Sequence, residues 1–210
     1  MTVPSPLQSQ PHPPSPDDAP DPIRVLIVDD HPAVRAAAAG VLEDAPDITA
    51  VAVAIDGPDG LRQARRLRPD VVVLDYSLPG EDGLSLVSEL TLLRPRPRVL
   101  LYSAFAGPAM GIAAILAGAD GALAKTASAD ALREGVRAVA AGEKSMPPLP
   151  APAMLALAAH LDNEDARLCA MLVEGASARE TARALSVSEE WIDARRWAIL
   201  RQLRPLVRAR

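Results

Sequence analysis

Five side chains of a kind that does chemistry stand at the ends of short apolar runs. Asp29 and Asp30 follow IRVLIV, Asp75 follows VVVL, Ser103 closes RVLLYS and Lys125 closes GALAK. Carboxylates that converge on one point repel each other unless a hard cation sits among them, and an all-oxygen set with retained waters suits Mg²⁺. Lys125 would add a compact positive charge. The chain has 20 arginines and two lysines, so a lysine at this place points to a need for a point charge, which a guanidinium fork does not supply. His31, directly after the acidic pair, reads as a solvated loop histidine with no role.

These residues need a frame that brings distant positions together. From Ile23 onward, β-branched runs alternate with alanine-rich segments of helical period. The strands are IRVLIV, TAVAVAI, VVVLD, RVLLYS and GALAK, and the helices between them fall near 32–44, 58–68, 83–94, 108–118 and 128–142. Strands that each lead into a helix build a parallel sheet covered on both faces. In such an α/β sheet, ligands collect outside the carboxyl ends of the strands. All five chemical residues sit at those ends.

Composition bounds the rest. The chain has 210 residues, room for one large or two small domains at about 150 residues each. Apolar residues make up 49% but only five residues are aromatic, so the cores are aliphatic and tight. A charged fraction of 23% fits a globular protein and excludes a chain disordered throughout. No apolar run reaches the roughly 20 residues of a membrane span, and the N-terminus has no secretion signal, which places the protein in the cytoplasm. One cysteine, Cys169, can make neither an internal disulfide nor a thiolate zinc site.

Residues 1–22 hold eight prolines among Ser, Gln and Asp and read as a disordered tail. Residues 23–144 form the α/β unit. The proline-rich stretch 145–152 is a stiff linker, and residues 153–210 read as a small all-α domain of four helices, near 152–160, 162–174, 177–185 and 188–203. Gly175 ends one of these helices and Ser188 caps another. Net charge is −5, yet from Arg195 to the end there are six arginines and no carboxylate, which favours contact with a polyanion.

The motifs VLIVDDH, VVVLDYSLPGEDGL, LLYSA and GADGALAK, in this order, resemble the receiver domain of two-component response regulators, a flavodoxin-like doubly wound five-stranded sheet. The resemblance implies that Asp75 accepts a phosphoryl group from a sensor histidine kinase. It also implies that Asp29, Asp30, Asp75 and the Ser77 carbonyl hold Mg²⁺, while Ser103 and Lys125 meet the phosphoryl oxygens. The chemistry is consistent: a carboxylate attacks an anionic phosphoryl group poorly unless a metal and a lysine offset the charge. Where the family often carries an aromatic residue that moves inward on phosphorylation, this chain has Ala122. Tyr102, beside Ser103, is expected to be partly buried next to the helix at 108–118.

The segment LDNEDARLCAMLVEGASARETARALSVSEEWIDARRWAILRQL resembles the LuxR-type helix-turn-helix of the NarL/FixJ class. That resemblance implies a recognition helix starting near Glu189, with Ser188, Asp193, Ala194, Arg195, Trp197 and Arg201 at the DNA and a homodimer as the phosphorylated form. Asp193 stands where a lysine is usual and forgoes the counterion release that a lysine supplies. Arg196 interrupts the stripe Ile192, Ile199, Leu203 and is expected to snorkel. Two outputs stay open: a transcription regulator that binds DNA, or a switch whose degenerate helix-turn-helix binds protein. Neither is a turnover enzyme. A metal-dependent phosphatase would share the acidic edge, but no separate general acid stands out.

Overall fold

The computed structural model describes residues 21–104 and 107–208; most of the proline-rich tail expected to be disordered lies outside them. The chain runs β1 (Ile23–Val28), α1 (Pro32–Glu43), β2 (Ile48–Ala54), α2 (Gly57–Leu67), β3 (Val71–Leu74), β4 (Ser77–Leu78), β5 (Glu81–Asp82), α3 (Gly83–Thr91), β6 (Arg98–Ser103), α4 (Pro108–Ala117), β7 (Gly121–Ala124) and α5 (Ala129–Ala140). Four helices follow: α6 (Ala151–Ala158), α7 (Asn163–Val173), α8 (Ala178–Leu185) and α9 (Glu189–Arg208).

Five parallel strands pair in the order β2-β1-β3-β6-β7. The order reverses direction at β1, so the carboxyl ends of β1 and β3 border the crevice where such sheets bind ligands. Side chains alternate across each strand and feed two cores. Val25, Ile27, Val71, Val73 and Leu100 pack with Ala38 and Leu42 of α1 and Leu132 and Val136 of α5. Leu26, Val28, Val72, Leu74, Val99 and Leu101 face the other way, toward α2, α3 and α4. This second core continues without a break into Leu168, Leu172, Ile199, Leu200 and Leu203 of the C-terminal helices.

Helix boundaries follow their caps. Asp56, Ser128 and Asp162 accept hydrogen bonds from the backbone N–H three residues on. Ser177 and Glu180 form a capping box, and Ser188 accepts from Trp191 N. Gly175, at a φ of +96°, follows α7 in the left-handed region that a glycine adopts freely.

Three features depart from expectation. Ser77–Leu78 and Glu81–Asp82 pair as a small antiparallel hairpin that strand periodicity was too short to register. The helix α6 runs from Ala151 to Ala158, starting one residue before and ending two residues short of the helix expected near 152–160. Pro205 does not end α9, which continues to Arg208 and buries Val207. Proline removes one N–H and crowds the preceding turn, so packing of the flanking Leu203 and Val207 offsets that cost.

The helix α4 has the sequence PAMGIAAILA, with no polar or charged side chain, and seven of its ten residues are buried. A helix that is apolar all round needs cover on every side. The helix α3 packs on one flank, while α6, α7 and α9 supply the rest.

Candidate functional site

Sheet register assembles the acidic residues. Val28 pairs with Leu74, so Asp29 and Asp75 emerge side by side, and Asp75 N donates to Val28 O at 2.8 Å. Ser103 pairs with Ala124, and Lys125 N donates to Ser103 O at 2.7 Å, which places Lys125 at the same edge. The Lys125 ammonium lies 2.6 Å from Asp29 Oδ2 and 2.8 Å from Asp75 Oδ2. Asp29, Asp75 and Ser103 are all buried. All five side chains singled out at strand ends therefore meet at one edge, where Lys125 bridges two of the carboxylates.

The loops hold these carboxylates in place. Asp29 Oδ1 accepts from His31 N at 2.8 Å, and Asp75 Oδ1 accepts from Ser77 N at 3.1 Å. Arg35 Nη1 donates to Asp29 O at 2.6 Å. Gly83 begins α3 directly against the Asp75 loop: a Cβ there would stand 2.4 Å from Asp75 O and 2.8 Å from Tyr76 O. Both are backbone atoms that no rotamer change can move, so the position admits only glycine. Sequence reading passed over Gly83, although its place in the motif PGEDGL was the available signal.

Electrostatics follow from one ammonium shared among carboxylates. Burial pushes the Asp75 pKa up, against the lowering effect of Lys125 and of Ser77 N. Burial also works against the Lys125 ammonium, but its hydrogen bonds to Asp29 and Asp75 outweigh it and hold its pKa above the ordinary lysine value. Asp29, Asp30, His31 and Asp75 each offer a ligand atom, all within 4.8 Å of one another. Three carboxylates against one lysine leave negative charge in excess, a donor set that fits a small hard divalent cation. His31 is 65% exposed in its side chain, as a solvated histidine should be, yet its Nδ1 lies 2.6 Å from Asp30 Oδ1.

Two neighbours of the site differ from expectation in detail. Tyr102 is half-buried, but on the face shared with α1 and α5, away from α4, and its hydroxyl donates to Lys125 O at 3.3 Å. Ala122 is buried in the opposite core and has no ring to move.

The residues expected to meet DNA have mixed settings. Ser188 caps α9, and Asp193, Ala194 and Arg201 are exposed. Trp197 is half-buried. Arg195 is committed internally, through Nη2 to Asp162 Oδ2 at 2.7 Å, through Nε to the buried Asp165, and over the Trp191 ring. Arg196 does not snorkel to solvent. Its Nε donates to Leu116 O at 2.6 Å, at the carboxyl end of α4, and its Nη1 lies 3.2 Å from Asp193 Oδ1. Helix carbonyls at that end carry partial negative charge and accept a cation well. Cys169 is buried, with its thiol pKa pushed up to about 12.

Residues 25–137 match the model of the response regulator receiver domain. The chain is 35% identical over 124 residues to the transcriptional regulatory protein LiaR of Bacillus subtilis, a match that covers 59% of each. It spans about three fifths of the length of the curated relatives it matches. A LuxR-family two-component response regulator from Aurantimonas superposes with a TM-score of 0.58 at 32% identity, covering 61% of this chain and 91% of that one. The response regulator ChrA, of a heme-sensing two-component system, is 31% identical with a TM-score of 0.54 and covers 88% of this chain and 98% of its own. The chain belongs to the two-component response regulators of the LuxR/NarL family, with a receiver sheet and additional C-terminal helices.

Proposed function

We propose that Asp75 is the phosphoacceptor of a switch driven by a sensor histidine kinase. The phosphorus–nitrogen bond of a phosphohistidine breaks as a phosphorus–oxygen bond to the Asp75 carboxylate forms. Asp29, Asp30, Asp75 and the Ser77 carbonyl would hold Mg²⁺, which offsets the charge of the incoming phosphoryl group when bound. Lys125 neutralises the phosphoryl oxygens from the other side, and the Ser103 hydroxyl hydrogen-bonds one of them. The observation that carries this reading is the Lys125 ammonium held between Asp29 and Asp75 across three strand ends. Incubation with acetyl phosphate and Mg²⁺ should add one phosphoryl group by intact mass, and Asp75→Asn should add none. Steady release of phosphate from unrelated esters would instead favour a phosphatase.

In this reading residues 23–144 are the receiver, 145–152 the linker and 153–210 the output unit of a cytoplasmic regulator that dimerises when phosphorylated. Among the described residues no helix is long and apolar enough to cross a membrane. The output is regulation of transcription, a reading supported by the similarity to LiaR, a transcriptional regulatory protein. With α9 seated on α4, duplex DNA reaches that face of α9 only after the two separate. One observation favours a protein partner instead: the exposed start of α9 carries Glu189, Glu190 and Asp193, while Arg195 and Arg196 are engaged elsewhere. Binding to random duplex at low salt, with and without phosphorylation, separates the two. Salt-sensitive binding supports DNA, and none in either state supports the protein-interaction output.

A further inference from the structure

At the end of the sheet opposite the acidic site, a cleft of about 880 Å³ opens between the receiver and the C-terminal helices. Arg96 precedes β6, Arg98 begins it, Lys144 lies in the chain after α5, and Arg196 reaches over from α9. These four cations face two lining carboxylates, Asp120 and Glu174, and Arg196 is also paired with Asp193, so the cleft carries an excess of one positive charge. Asp120 is 1% exposed and accepts from Arg96, Arg98 and Val99 N at 3.0, 3.1 and 3.0 Å, so its capacity is largely used, and the exposed Lys144 ammonium lies 3.4 Å from it and donates to Ala119 O at 3.2 Å. Among the described residues, Arg96 Nε and Nη1 and Arg98 Nε and Nη2 have no acceptor.

Part of the lining is apolar: Met146, Pro147 and Leu149 of the connector and Leu172 of α7. Like charges gathered in a concave site with low-dielectric walls raise the local concentration of anions. Guanidinium forks match phosphate oxygens pairwise. The size lies in the range of small-molecule sites, which combine apolar lining with a few placed polar groups.

We propose that this cleft binds a small amphipathic anion of the nucleoside monophosphate class, its phosphate on Arg96, Arg98 and Lys144 and its apolar body on Met146, Pro147 and Leu149. The negative charge of a phosphomonoester is attracted by that excess. Leu172 and Val173 of α7 and Arg196 of α9 complete the lining of the cleft, so a ligand that also touches them is held best while the C-terminal helices are seated on the receiver. By linkage it opposes any event that parts them. The assignment does not depend on phosphorylation of Asp75.

Titration calorimetry of the full chain with adenosine 5′-monophosphate, in EDTA, tests it. Saturable binding at one site is expected, weakening as salt rises. Lys144→Glu, an exposed position, and Arg98→Gln should each weaken binding about tenfold or more, one decade in Kd. Asp75→Asn should bind as the parent does, which separates the cleft from the acidic site. Inorganic phosphate should bind about tenfold more weakly or worse, because it leaves the apolar lining unused. The proposal is overturned by no detectable heat at millimolar nucleotide, by affinity that ignores Lys144→Glu, or by inorganic phosphate binding as tightly as the nucleotide.

Discussion

At the scale of single residues, the acidic site is built at the expense of stability. Asp75 is buried, and the lysine beside it is shared with Asp29, so ionised Asp75 carries desolvation that its partners do not fully offset. Its folded pKa is raised above the ordinary 3.8. Between those two values the folded state holds more protons than the unfolded one, so this group's contribution to stability falls as pH rises through the window. Asp75→Asn removes the charge while Asp29 still pairs with Lys125, and should stabilise the protein by about 1 kcal/mol at neutral pH. The gain, read as the difference in urea midpoint from the parent, should shrink toward zero as pH falls to the ordinary carboxylate value. Mg²⁺ should raise the melting temperature of the parent, by linkage to the folded state alone, and should do so far less in Asp75→Asn.

At the scale of elements, the decisive contact is α9 on α4. Arg196 places a half-buried guanidinium on the last carbonyls of an apolar helix, where desolvation lowers its pKa and nearby Asp193 only partly counters that. Arg196→Ala removes this contact and should destabilise the chain by about 2 kcal/mol, with faster amide exchange in α4 and α9 as the specific sign. Arg196→Met, which keeps the apolar stem, should recover part of the loss. This contact also marks where sequence reading stops. The strands were legible because β-branched runs have a period of two, and the acidic residues because each closes such a run. Arg196 was seen to break the stripe Ile192, Ile199, Leu203, but its partner lies 80 positions away on a helix of another unit. Nothing local to either segment encodes that pairing. The same holds for α9 beyond Pro205, where burial of Val207 overrides a breaker, and for Tyr102, whose choice of face depends on strand register.

At the scale of the molecule, the apolar composition of α4 makes the receiver and the C-terminal helices interdependent. A receiver able to stand alone would keep polar side chains on the outer face of this helix. Here Met110, Ile112, Ala113, Leu116 and Ala117 are all buried, in one core with Leu168, Leu172, Ile199 and Leu203. Cutting the chain after Lys144 would strip α6 to α9 away and leave a contiguous apolar patch, the kind that drives association in water. The fragment 21–144 should therefore form concentration-dependent dimers or larger species in light scattering, under conditions where the whole chain does not change with concentration. Replacing Ile115, half-buried in α4, by Lys in that fragment should reduce association if α4 is the sticky face. A monomeric, fully soluble fragment would mean that the receiver covers α4 by itself. The C-terminal helices would then be free to leave it at little cost, and α9 could reach a duplex without breaking a core.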